Sequence, residues 1–167
     1  MRQGLLLLSA SLIVGCMGYT IGPVKPTRMQ GISTIAVPSF ESEVLIPRVE
    51  VLAADSVIKQ IQLDGTYRVG RVDTADAILE GVVQSISRRP TRSVRQNVLA
   101  TREFLLNVKF SYKVSDRRTG ANLFEGTVSG ETSFFVSDDV NQDERQALPL
   151  AFEDAATRLV STISEGF

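Results

Sequence analysis

Cys16 is the only cysteine in the chain, and an apolar run from Leu5 to Val14 leads up to it. A thiol in that place can be acylated; elsewhere a lone cysteine is usually a small core hydrophobe. The second concentration of chemistry is basic. Arg88, Arg89, Arg92 and Arg95 stand within one short stretch with no acid among them. The planar guanidinium fork matches phosphate and carboxylate oxygens, so these four are candidates for contact with an anionic ligand. A solvated loop, or one that meets acids of a partner protein, is the plainer alternative. The third feature is Asp138-Asp139, an adjacent pair of aspartates. Two carboxylates can hydrolyse a glycoside. Here they precede a helical pattern, where the helix dipole favours acids for structural reasons alone.

Other chemistry is poorly served. The chain has no His, so the commonest acid–base group near neutral pH and the commonest metal ligand are absent. It has no Gly-rich phosphate loop and no Gly-x-Ser-x-Gly elbow. No enzymatic activity, cofactor or metal is expected. A net charge of −1 does not suit a general nucleic-acid binder.

The N-terminus reads as a secretory signal peptide over residues 1–15: a basic start at Arg2, an apolar run, and a small residue before a cut site. The run is about half the length needed to span a bilayer as a helix. Ile13-Val14-Gly15-Cys16 resembles the bacterial lipobox, in which the cysteine is acylated and the chain is cut just before it. The expected organisation is a signal peptide (1–15), a lipidated tether (16–30) and one α+β domain (31–167). Two or more acyl chains on Cys16 would anchor it stably. With Cys16 lipidated no disulfide can form, so the fold must rest on its core.

The elements that must position these groups follow from periodicity. Ile32 to Val37 reads as a mostly buried strand stopped by Pro38, with a loop from Ser39 to Ile46. Ile46, Val49, Ala53, Val57 and Ile61 recur at helical spacing, and Asp64-Gly65 ends that helix. Tyr67-Arg68-Val69 is a short strand or an extended approach. A second strand runs from about Asp76 to Ser87, with Ile78, Val82 and Ile86 on one face and Leu79 and Val83 on the other. Gly81 marks a bulge or a close packing point.

Phe104, Leu106, Val108, Phe110, Tyr112 and Val114 alternate with Glu103, Leu105, Asn107, Lys109, Ser111 and Lys113, the pattern of a half-buried strand. A turn at Asp116–Gly120 leads to a fourth strand, with Phe124, Val128, Phe134 and Val136 in one parity. A last helix spans about Asp143 to Ser164, with Asp143 and Gln146 placed for a capping box. Pro149 is expected to bend it or to push its start later. The order is β-α-β-β-β-α. The expected fold is an α+β two-layer sandwich: two helices packed on one face of a mixed, mostly antiparallel sheet of about four strands. Phe152 and Leu159 are expected to lie against Phe104, Val108 or Phe110. The opposite face of the hairpin bears Asn107, Lys109, Ser111, Lys113, Thr127 and Ser129. Such a face suits solvent.

The chain also resembles the lipopolysaccharide-assembly lipoprotein family (LptE). The matching pieces are Gly15-Cys16-Met17-Gly18-Tyr19, Ile35-Ala36-Val37-Pro38-Ser39-Phe40-Glu41, Pro47-Arg48-Val49-Glu50, Ala75-Asp76-Ala77-Ile78-Leu79-Glu80-Gly81 and Ser115-Asp116-Arg117-Arg118-Thr119-Gly120. One stretch departs: Phe40-Glu41-Ser42-Glu43-Val44 stands where the family usually has Phe-Glu-Asn-x-Thr. The resemblance implies an outer-membrane lipoprotein on the periplasmic side or within a barrel lumen. Its implied partner is the large β-barrel that inserts lipopolysaccharide into the outer leaflet, and lipopolysaccharide is the implied ligand. No family motif covers the four arginines; their chemistry alone makes them the candidate contact with the phosphate-rich glycolipid, and the polar hairpin face would then meet the barrel. The alternative is a lipid-anchored periplasmic module that activates a peptidoglycan synthase or belongs to a secretion complex.

Overall fold

The computed structural model describes residues 25–91, 102–136 and 139–166. The expected signal peptide, Cys16 and most of the expected tether lie outside the described residues. Strand β1 (Thr34–Ala36) and strand β2 (Glu41–Ser42) are separated by Pro38, which has no N–H to give a ladder. Helix α1 (Val49–Asp64) follows and buries Val49, Ala53, Ala54, Val57 and Ile61, the stripe its spacing predicts. Gly65 ends it at φ 76° and donates its N–H to the Ile61 carbonyl. Strand β3 (Arg68–Val69) then leads to three long strands, β4 (Ala77–Pro90), β5 (Arg102–Asp116) and β6 (Asn122–Val136). Helix α2 (Val140–Glu165) closes the described chain.

The sheet is mixed and has six strands, in the order β3-β1-β4-β5-β6, with β2 also paired to β4. The expectation of about four strands is corrected here. β2 and β3 are two residues long, too short to show a period of two. Both are held by parallel pairing to partners remote in sequence: Glu41 opposite Val82, and Thr34 opposite Arg68. β1 also runs parallel to β4, while β4–β5 and β5–β6 are antiparallel.

Even-numbered residues from Leu106 to Val114 are buried, as the alternation predicts. Phe110 stacks on Phe152 of α2 at 6.3 Å between ring centroids and meets Phe40 edge-on at 5.5 Å. α2 packs along β5 and β6 and against α1, whereas α1 reaches β2, β3 and β4. Gly81 is a close packing point: a Cβ there would overlap the Phe40 ring. The irregularity in β4 falls later, between Val83 and Ser85. It reverses the inward parity, so Leu79, Val83 and Ile86 all pack toward the core. The expectation that Ile86 shares a face with Ile78 and Val82 is corrected accordingly.

The start of α2 also differs from expectation. Asp139, not Asp143, is the N-cap, and its carboxylate accepts from the Asn141 and Gln142 N–H groups. Asp139 therefore has the structural role of a cap, while Asp138 lies outside the described residues. Pro149 does not delay the helix, which runs through it. Proline removes the hydrogen bond to the Arg145 carbonyl, and at that exposed residue water can replace it.

The far ends of both helices meet. Ser164 Oγ donates to Asp64 Oδ1 at 3.0 Å, and Tyr67 Oη donates to the Ile163 carbonyl at 2.8 Å. Lys25, the first described residue, lies here, with Nζ 4.8 Å from the Tyr67 ring centroid. β1 is pinned to the start of β4 by Asp76, whose carboxylate accepts from the Ser33 and Thr34 N–H groups and the Thr34 hydroxyl.

Candidate functional site

Arg88 and Arg89 belong to the end of β4, not to a loop, and β4 continues to Pro90 opposite Phe104. Side chains alternate along a strand, so the two arginines leave opposite faces. After the irregularity at Val83/Ser85, Arg88 takes the same side as Ile86 and meets α2, where it pairs with Glu144. Arg88 is thus already engaged by an acid of its own chain. Arg89 is exposed and has no ion pair among the described residues. Arg92 and Arg95 lie outside the described residues. Sequence reasoning missed Glu144, because nothing local to either residue signals a pairing across 56 positions.

The hairpin's polar residues come together in register. Lys113 stands between Glu80 and Glu125, Ser111 between Val82 and Thr127, Lys109 between Ser85 and Ser129, and Asn107 between Ser87 and Glu131. Directly paired residues share a face, so Asn107, Lys109, Ser111, Lys113, Thr127 and Ser129 form one surface. Lys109, Lys113 and Thr127 are exposed, and the other three are half-buried. Asn107 Nδ2 donates to Glu131 Oε1 at 3.0 Å. Along this surface Glu80, Glu125 and Glu131 alternate with Lys109 and Lys113. A shallow trough of about 700 Å³ runs across it, walled by Pro38 and Ser39 and floored by Val82, Ser111 and Thr127.

This surface offers hydrogen bonds and balanced charge over a rigid sheet. It offers no nucleophile beside a base, and no group of acids that could hold a metal occurs among the described residues. Its chemistry is that of hydrogen bonding and ion pairing.

The sequence over residues 32–163 matches the family described as LptE, lipopolysaccharide-assembly. No curated protein sequence matches. Among solved structures, the chain is similar in fold to the PelC dodecamer from Paraburkholderia phytofirmans, at 15% identity and a TM-score of 0.54, covering 86% of this chain and 95% of that one. A minor lipoprotein from Acinetobacter baumannii has 15% identity and a TM-score of 0.52, over 81% of this chain and 94% of that one. Protein XCC0632 from Xanthomonas campestris has 14% identity and a TM-score of 0.55, over 87% and 90%. At these identities the likeness is one of fold. The family match spans β1 to the last turn of α2, so the chain belongs to the LptE lipopolysaccharide-assembly family.

Proposed function

We propose that the protein is an outer-membrane lipoprotein, anchored through an acylated Cys16, that assembles with and plugs a β-barrel translocon. In that place it supports lipopolysaccharide transport and insertion into the outer leaflet. The family match over residues 32–163 carries this reading. The polar face of β5 and β6 supports it, because a barrel lumen is polar and hydrated. Contact with lipopolysaccharide falls to Arg89, Arg92 and Arg95, since Glu144 already holds Arg88. The test is purification of the full-length lipoprotein from detergent-solubilised membranes. A co-purifying barrel of porin size or larger, and loss of surface lipopolysaccharide on depletion, are the expected results. Recovery with a peptidoglycan synthase or a secretion subunit, and normal surface lipopolysaccharide without the protein, would overturn the reading.

A further inference from the structure

At the end of the molecule away from Lys25, the first turns of α1 and α2 enclose a groove of about 610 Å³. Leu45, Ile46, Val51, Leu52 and Leu148 supply its apolar lining. Leu45 is fully exposed and Val51 is more than a third exposed, whereas Val49, Ala53, Val57 and Ile61 of α1's stripe are buried. Water-exposed leucine beside a concave apolar surface marks a place where a second molecule gains by burial.

The rim narrows what that molecule is. Arg48 and Arg145 line it, and neither makes an ion pair among the described residues. Of the two nearby acids, Glu144 is already held by Arg88, which leaves Asp55. Arg48 is also the only non-glycine residue with positive φ among the described residues, at 66°. Backbone strain of this kind collects at ligand clamps.

We propose that this groove docks a segment of a partner protein that carries bulky apolar side chains flanked by carboxylates. The apolar side chains lie on Leu45, Val51 and Leu148, and the carboxylates meet Arg48 and Arg145. Asp55 and the Asn141 carboxamide add an acceptor and a donor to the rim, which suits a peptide's mixed groups and not a dense phosphate array. The chain's own tether could bring Cys16 to the groove only near full extension. About 37 Å of helix separates Asn141 from Gly166, and Pro26 packs beside Gly166. The ten Cα–Cα steps from Cys16 to Pro26 span at most about 35 Å when fully extended. A two-fold copy of the chain would set the same unpaired arginines against each other.

The test places a photo-crosslinking benzophenone residue at position 45 of the full-length lipoprotein in cells. Full exposure of Leu45 means this substitution leaves the fold intact. The expected adduct is with a protein segment in which a bulky apolar residue stands within one or two helical turns of Asp or Glu. Arg48→Glu combined with Arg145→Glu is expected to weaken that adduct by about tenfold, the worth of two exposed ion pairs. Exchanging the partner's acids for Lys is expected to restore it. Arg48→Gly removes one guanidinium while suiting the left-handed turn, so it tests the contact without risk to folding, with about a threefold loss expected. An adduct with lipopolysaccharide or phospholipid, an adduct with a second copy, no adduct, or an adduct indifferent to charge reversal would each overturn the proposal. A crosslinker at Ser111 reports separately on the barrel reading. Barrel adducts from Ser111 with none from Leu45 would sink the groove alone.

Discussion

Gly130 of β6 lies directly under Ala151 of α2, so close that a Cβ on the glycine would overlap the Ala151 carbonyl oxygen and the Ala155 amide nitrogen. Backbone meets backbone there, and neither side has a rotamer to yield. Gly130→Ala is expected to cost about 3 kcal/mol through forced separation of helix and strand. Gly126→Ala, on the same strand, comes nearest to the Tyr112 ring and hydroxyl at 3.1–3.3 Å, a side chain that can yield, and is expected to cost under about 1 kcal/mol. Urea unfolding midpoints compare the two, and equal costs would refute the close contact.

Phe152 is fully buried and stacks on Phe110. Phe152→Ala is expected to cost about 3–5 kcal/mol. Because the rings share one contact, the double variant with Phe110→Ala is expected to cost less than the sum of the singles. Denaturant titration of all three variants measures this. Strict additivity would show that the rings do not depend on each other.

Stability is expected to fall at both extremes of pH. The Ser33 N–H, then the Thr34 hydroxyl and N–H, hold Asp76 below its ordinary value of 3.8, and the Thr119 N–H acts likewise on Asp116. A depressed carboxyl contributes stability that is present above its unfolded value and lost as pH falls through the folded one. Asp76→Asn with Asp116→Asn is expected to flatten the acid limb. Tyr67 moves the other way, pushed up to about 12 by burial and then by Asp64. Its contribution is full below the ordinary value of 10 and declines as pH climbs toward 12. Tyr67→Phe is expected to lose about 1 kcal/mol near neutral pH, with the bond to Ile163, and to remove that alkaline decline. Thermal melts across pH check both limbs, and unchanged limbs in these variants would refute the assignments.

The two arginines that end β4 are expected to separate in their effects. Arg88→Ala is expected to cost about 0.5–1 kcal/mol, since the pair with Glu144 is partly exposed. Arg89→Ala is expected to leave stability unchanged. The triple replacement of Arg89, Arg92 and Arg95 is expected to weaken binding to purified lipopolysaccharide. Wild-type binding is expected to fall as salt rises, because exposed charges are screened. Unaltered binding by the triple variant would remove these arginines from ligand contact.

Cys16→Ala is expected to release the protein from membranes or to leave it uncut. Fractionation with mass analysis of the N-terminus decides this. Normal processing and membrane retention without lipid would sink the anchor.

Much was legible along the chain because it was written as local pattern. The stripe of α1, the alternation of β5 and β6, and Gly65 as a stop each express one element's own period. Partner choice was not legible. β2 and β3 exist because the Val83 carbonyl accepts from the Glu43 N–H and the Ser33 carbonyl from the Arg68 N–H, not because of any rhythm in Glu41–Ser42 or Arg68–Val69. The shift at Val83/Ser85 turned Arg88 inward toward Glu144, and no spacing rule foretells which residue a strand passes over. Leu45 sat in an apparent loop, and only the convergence of α1 and α2 made it the wall of a groove. Sequence alone therefore determined the long elements and the family, which depend on near neighbours and on order. Tertiary structure decided which charges are paired and which apolar surface is left over, because both depend on groups that meet only once the chain has closed on itself.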